Sequence, residues 1–294
     1  MCFGGLSYAF CVSGKSGNPS FVIASKPGDP VDQGTCCRLA RHVDCEVTWA
    51  QWQPDSNTYQ LRYFVANGEI DFCGHGTLAA AAWLFQHHQL PSPISLRVLN
   101  RIISVQQNEP GYWSYEQEAF PLVDITESEV ITHLLHSLGL TNPDYCTINQ
   151  VKAYRSSGAV REKLVIAFPD RTYLEAMQIN GQSRDHICEA LNTTGIYAFC
   201  DISDPQAASI AARHFPIYSG DNEDMATGAI APTVANHISK NKTHSTVNIF
   251  QGGKHAQHSR ILVSTDRVKN IWHVGGQCLA TEYISLQQAF SNIE

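Results

Sequence analysis

The spacing of hydrophobic and polar positions predicts mixed α and β structure along the whole chain. Residues 46–52 and 59–65 read as strands, both rich in β-branched and aromatic side chains. Ahead of them, Asp29-Pro30 introduces a helical stretch to about His42. Thr126-x-x-Glu129 has the form of a capping box; Val130, Ile131, Leu134, Leu135 and Leu138 make one apolar helix face behind it, and Gly139 offers a stop. Asp204-Pro205 predicts an N-cap and a first-turn proline, with Ala207, Ala208, Ile210 and Ala211 as the apolar face of a further helix. Residues 105–125 read as the loop that crosses between two parts of the chain.

An internal echo organises these elements. RYFVANGEIDFCGHGTLAAAAWLF at residues 62–85 and RHFPIYSGDNEDMATGAIAPTVANHI at residues 213–238 both run from an Arg-x-Phe strand through an acidic loop into a glycine turn and a helix of small residues. Arg62 lies 14 positions before Gly76 and Arg213 lies 15 before Gly228, so the copies align with a single-residue offset. The chain therefore divides into two similar halves, expected to face one another: residues 1–118, joined by the C-terminal segment 282–294, and residues 119–281.

Composition narrows the function classes. With 294 residues, 43% apolar and 16% charged, the chain suits a compact fold with a lean polar surface. A net charge of −7 without a basic run argues against a nucleic-acid partner. No apolar stretch has the length of a membrane span and the start, MCFGGLSYAF, is unlike a signal peptide, so a cytoplasmic location is expected. The ten cysteines never fall as C-x-x-C, which points to reduced, buried thiols rather than a disulfide scaffold or a zinc site. His255-x-x-His258 lacks a third ligand in evident register, and no metal is assigned.

The glycine turns carry the chemistry. In Asp71-Phe-Cys-Gly-His-Gly-Thr77, Gly74 and Gly76 permit a tight turn, and the helix that follows presents unpaired N–H groups and a positive dipole end to a carboxylate or phosphate. Met225-Ala-Thr-Gly-Ala229 has the same potential, so two helix starts are expected to hold a small anion. Gly74-x-Gly76-x-x-Ala79 also fits a loose dinucleotide-binding pattern, but no acidic residue stands about 20 positions on.

SGNPSFVIA (16–24), CEVTWAQW (45–52), ANGEIDFCGHGTLAAAAWLF (66–85), EDMATGAIA (223–231) and FQGG (250–253) resemble the phenazine-biosynthesis PhzF-like isomerases of the diaminopimelate epimerase-like superfamily. The resemblance implies two similar α/β domains, each a β-barrel-like sheet around a central helix. It further implies an active site between them, no cofactor, a homodimer and a small carboxylate-bearing substrate. Residue by residue, it gives catalytic roles to Glu46, His75 and Asp224, and substrate contacts to Gly74, Gly76, Thr77, Thr227 and Gly228 on the turns. Asn18 closes the site from the side, and Ala229 stands where the family often has serine.

Superfamily racemases and epimerases use two thiols, one at each turn. This chain has Cys73 and Met225, and a thioether neither gives nor takes a proton, so two-thiol inversion fails. Glu46, flanked by Cys45 and Val47 with Trp49 nearby, suits a single general acid/base whose affinity for protons is raised by apolar surroundings. His75, beside a helix N-terminus, is expected to favour its neutral form. Asp224 orients a substrate amine or hydroxyl, caps the following helix, or does both. The reading is a cofactor-independent isomerase. A racemase or epimerase using Cys73 and a non-catalytic metabolite-binding protein are the alternatives.

Overall fold

A computed structural model describes residues 3–14, 16–141, 148–159, 161–204, 207–239, 245–266, 271–281 and 284–285. The chain divides into two compact units, Met1–Glu116 with Gly275–Glu294, and Gln117–Val274.

The first unit contains β1 (Phe3–Cys11), β2 (Asn18–Ser25), α1 (Gln33–Val43), β3 (Glu46–Gln53), β4 (Thr58–Val65), β5 (Gly68–Ile70), α2 (Gly74–His88), β6 (Ile94–Val98), β7 (Arg101–Glu109) and β8 (Tyr112–Gln117). Its pairings run β1 antiparallel to β2, β2 parallel to β3, β3 antiparallel to β4, β4 parallel to β6, then β7 and β8 antiparallel in turn. A late strand, Ile271–Ala280, pairs with both β1 and β8 and closes the ring. Inside lies α2, buried on every side from Gly74 to Leu84, its four successive alanines keeping it thin enough for the barrel. A helix apolar all round belongs inside a core, and this one is Ala-rich enough to form readily. Outside the ring, α1 lays Cys36, Leu39 and Ala40 on Phe21, Ile23, Val47, Trp49 and Phe64.

The second unit contains β9 (Leu122–Ile125), α3 (Ser128–Ser137), β10 (Lys152–Ser156), β11 (Leu164–Phe168), α4 (Arg171–Ala176), α5 (Gly181–Ala190), β12 (Gly195–Asp201), β13 (Ala208–Pro216), α6 (Ala231–Ser239), β14 (Thr246–Gln251) and β15 (Ser259–Asp266). The strand at Ile271–Ala280 is then β16, and Ile284–Ser285 is β17. From β10 to β15 the pairings repeat the first unit's pattern: antiparallel, parallel, antiparallel, parallel, antiparallel. The sheet curls around α6, which touches β9 as well as β14 and β15, while Leu134, Leu135, Ile187 and Cys188 of the outer helices cover the opposite face.

The echo recurs in the structure. Arg62 lies over the Phe64 ring at 5.2 Å and pairs with Glu69; Arg213 lies over Phe215 at 5.0 Å and pairs with Glu223. Phe64 is paired with Val47, and Phe215 with Ile196. Glu46 and Gly195, the residues just before Val47 and Ile196, are therefore equivalent, as are Tyr63 and His214.

Four sequence expectations are corrected. Residues 208–211 lie in β13, not a helix: Ala and Ile satisfy either pattern, but here both faces are covered, and the Asp204 carboxylate accepts from Ala207 N at 2.7 Å just before the strand. Pro205 lies outside the described residues. The capping box does not form, because α3 starts after Glu127, which supplies no side-chain cap. Residues 105–125 carry β7, β8 and β9 instead of a crossing loop. In the second copy the helix begins at Ala231, three positions after Gly228, with Pro232 in its first turn where the missing N–H costs nothing. The eight described cysteines are all free thiols; Cys2 and Cys146 lie outside the described residues. No described helix is long and apolar enough to cross a membrane.

Candidate active site

Glu46 opens β3, and the period of two decides where it points. Val47 and Trp49 enter the outer core against α1, so Glu46 and Thr48 face the other side, towards the head of α2. Ser20 on β2 pins this end of the strand, its hydroxyl donating to the Glu46 carbonyl at 3.1 Å and sharing a 2.8 Å bond with Thr48 Oγ1.

The turn before α2 brings the other groups to that carboxylate. His75 Nε2 lies 3.2 Å from Glu46 Oε2, with the ring 7% and the glutamate side chain 27% exposed. Asn18 Nδ2 lies 3.2 Å from His75 Nδ1 on the side of the ring away from the carboxylate, and Nε2 faces Glu46. Cys73 caps the helix: its sulfur accepts from Gly76 N at 3.3 Å and rests 3.5 Å from both nitrogens of His75. Burial works against a charged His75, but the Cys73 sulfur and the Glu46 carboxylate outweigh it and raise the ring well above its ordinary value. The neutral bias expected from the helix N-terminus is overturned by these two nearer partners.

Asn18, Glu46, Cys73, His75 and Gly76 thus form one cluster, and Gly74 opens the helix beside it. The cap on Gly76 N–H removes it as an anion donor, so the first-turn donors outside the cap belong to Gly74 and His75. Thr77 is structural: its hydroxyl bonds the Cys73 carbonyl at 2.8 Å and Tyr63 Oη at 2.7 Å, and its N–H closes the first helical bond. The carboxylate, thiol and imidazole atoms of Glu46, Cys73 and His75 lie within 4.8 Å of one another, a donor set a soft divalent cation could use. Such a cation would have to displace the Nε2 proton from its bond to Glu46.

In the second unit the sequence-predicted residues form their own network. Asp224 Oδ2 receives the Thr227 hydroxyl at 2.8 Å and lies 3.2 Å from His214 Nδ1. Gln251 Nε2 donates to Thr227 Oγ1 and to the Asp224 carbonyl, both at 2.8 Å, while its Oε1 accepts from Thr227 N at 3.2 Å. The backbone turn is fixed by Ala231 N donating to Gly228 O at 3.2 Å and by Gln117 Nε2 donating to Ala229 O at 2.6 Å. Ala229, in the position of the family's serine, brings no hydroxyl. At Gly195, the counterpart of Glu46, there is no side chain, so a carboxylate stands at this register position in one unit and not in the other.

The sequence reading missed His214, Lys163 and Gln251. Aligning the two copies residue by residue would have exposed the first, since His214 falls on Tyr63.

A family model described as phenazine biosynthesis-like protein matches residues 8–282. An uncharacterized isomerase of Halalkalibacterium halodurans is 24% identical over 78% of this chain and 80% of its own length. The human phenazine biosynthesis-like domain-containing protein is 22% identical over 84% of this chain and 88% of its own. A solved PhzF-family phenazine biosynthesis protein from Bacillus anthracis superposes with a TM-score of 0.78 at 19% identity, covering 97% of this chain and 98% of that one, which shows the shared fold. With the family model spanning both glycine turns, the chain belongs to the phenazine biosynthesis-like protein family, a family with named isomerases among its members.

Proposed function

We propose that this chain is an isomerase that works without a cofactor, and that Glu46 moves a proton between carbons of a small carboxylate-bearing metabolite. The carrying observation is the 3.2 Å contact of Glu46 Oε2 with a buried, unusually basic His75, which Asn18 and Cys73 hold in place. A carboxylate hydrogen-bonded to such a ring is held in one position, and its partial exposure gives a substrate access to it. The proton leaves one carbon for Glu46 and returns from Glu46 to another carbon of the same conjugated system, so nothing is oxidised or reduced. In this reading His75 orients the carboxylate, the N–H groups of Gly74 and His75 receive the substrate carboxylate, and Asp224 meets an amine or hydroxyl. Gly195 in place of a second glutamate favours proton movement by one carboxylate over inversion by two bases.

Cys73, in contact with both nitrogens of His75, gives the thiol-dependent racemase reading a specific footing. One experiment separates the readings. Unsaturated amino and hydroxy carboxylates are incubated with the protein in deuterated water and followed by proton NMR. The proposal expects exchange at a ring or allylic carbon that survives Cys73→Ser. Loss of exchange in that variant supports the racemase, and binding with no exchange on any carboxylate makes the protein a binder.

A further inference from the structure

The interior of the second unit carries a lysine and a histidine where its counterpart carries hydroxyl groups. By strand register, Lys163, Tyr197 and His214 occupy the positions of Ser20, Thr48 and Tyr63. Tyr63 spans to Thr77 at 2.7 Å and does nothing more with its hydroxyl among the described residues. His214 instead reaches two groups of the candidate site. Its Nδ1 lies 2.9 Å from Thr227 Oγ1 and 3.2 Å from Asp224 Oδ2. The Thr227 hydroxyl directs its own proton to Asp224 Oδ2, so both neighbours of Nδ1 are acceptors and Nδ1 must carry the hydrogen.

The backbone holds the same pair in register. His214 and Asp224 form a β-bridge, with Asp224 N donating to His214 O at 2.9 Å. On the far side of the ring, Nε2 is buried and has no hydrogen-bond partner among the described residues. It presses on Gly195, where a Cβ would come within 3.0 Å. Glycine at 195 therefore makes the room that lets the imidazole lie with Nδ1 towards Asp224.

We propose that His214, as its neutral Nδ1–H tautomer, is a positioning residue that locks Asp224 in one rotamer and keeps its carboxylate ionised. The inference rests on the reading of Asp224 as a substrate-contacting group and deepens it. The charged and titratable groups facing His214 are Asp224, Lys163 and Arg161, with Tyr197 at a ring separation of 6.0 Å. Burial, reinforced by Lys163, holds the ring down at about 4 against the pull of Asp224, so it stays neutral through the physiological range. Lys163 is itself buried, bonds Thr194 Oγ1 at 3.3 Å, and is pushed down to about 7 by desolvation and then by Arg161.

The test needs no substrate. Histidine-labelled protein gives the tautomer directly from long-range nitrogen–proton correlation spectra, and carbon NMR follows the Asp224 carboxyl titration. His214→Asn puts an amide N–H near the place of Nδ1, whereas His214→Gln puts one near Nε2, and His214→Leu removes both. We expect a neutral Nδ1–H ring in the wild type down to about pH 5. The proton affinity of Asp224 should rise about tenfold or more in the Gln and Leu variants and stay within about twofold of wild type in Asn. An Nε2–H or cationic ring, or the same Asp224 titration in all four proteins, overturns the proposal. If the Leu variant does not fold, the Asn and Gln pair decides. Should Asp224→Asn leave deuterium exchange intact, the substrate role of Asp224 fails while the measured coupling to His214 stands.

Discussion

Replacing Gly76 with alanine adds one methyl group where the head of α2 presses on β3. That methyl would lie 2.6 Å from Thr48 Oγ1, 3.0 Å from Cys73 Sγ and 3.3 Å from Tyr63 Cδ1. Thr48 cannot swing aside without giving up its 2.8 Å bond to Ser20, and the Cys73 sulfur is already the cap for Gly76 N–H. Forcing a methyl into a packed interior costs about 1–3 kcal/mol, and losing the hydroxyl pair adds about 0.5–1.5 kcal/mol. At about 2–4 °C per kcal/mol for chains of comparable size, Gly76→Ala should melt roughly 3–18 °C lower. Thr48→Ala removes the atom at 2.6 Å, so in that background the same change should cost less by about 0.5 kcal/mol or more. Scanning calorimetry of the wild type, both single variants and the double variant measures the cycle. Additive penalties, or a Gly76→Ala protein as stable as the wild type, would refute the packing argument.

Three further outcomes follow from the same geometry. Protonated His75 is stabilised in the fold, so its contribution is full below about pH 6.5 and is lost as pH rises through the folded value above that; the stability gap between wild type and His75→Gln in urea melts should narrow at alkaline pH. Lys163 runs the other way, since its folded value near 7 lies below the unfolded one: Lys163→Met should gain stability over wild type, more at about pH 6 than at about pH 10. The repeated Arg–Glu pair offers an internal control, with exposures of 12% and 7% for Arg213 and Glu223 against 35% and 34% for Arg62 and Glu69. Glu223→Gln should cost about 3–5 kcal/mol in denaturant melts and Glu69→Gln about 0–1 kcal/mol, and equal costs would show that burial does not govern the pair.

What the sequence made legible was what short-range pattern encodes. The strands at Glu46 and Thr58, the Ala-rich helix after Gly76 and the duplication all stand in the residue types themselves. The cluster of Glu46 with His75 came from the resemblance, and its geometry has a simple origin in strand alternation and a helix start. The helix expected over 207–211 failed because small apolar residues fit either element, and only pairing with β12 and β14 on two sides selects a strand. The charge state of His75 was misread because the dipole of α2 is a weaker influence than a carboxylate at 3.2 Å and a sulfur at 3.5 Å. His214 and Lys163 stayed hidden because their meaning depends on register: each looks like an ordinary strand residue until the two units are aligned through Phe64 and Phe215.

The central claim is that one carboxylate moves the proton, and the rate of solvent deuterium exchange in Glu46→Gln tests it most directly. Glutamine keeps the size of the side chain and can still meet His75, so near-UV circular dichroism should match the wild type. The account predicts a fall of about 10²–10⁴-fold in exchange, the share a positioned acid/base contributes. Exchange at the wild-type rate by a correctly folded Glu46→Gln protein would contradict it.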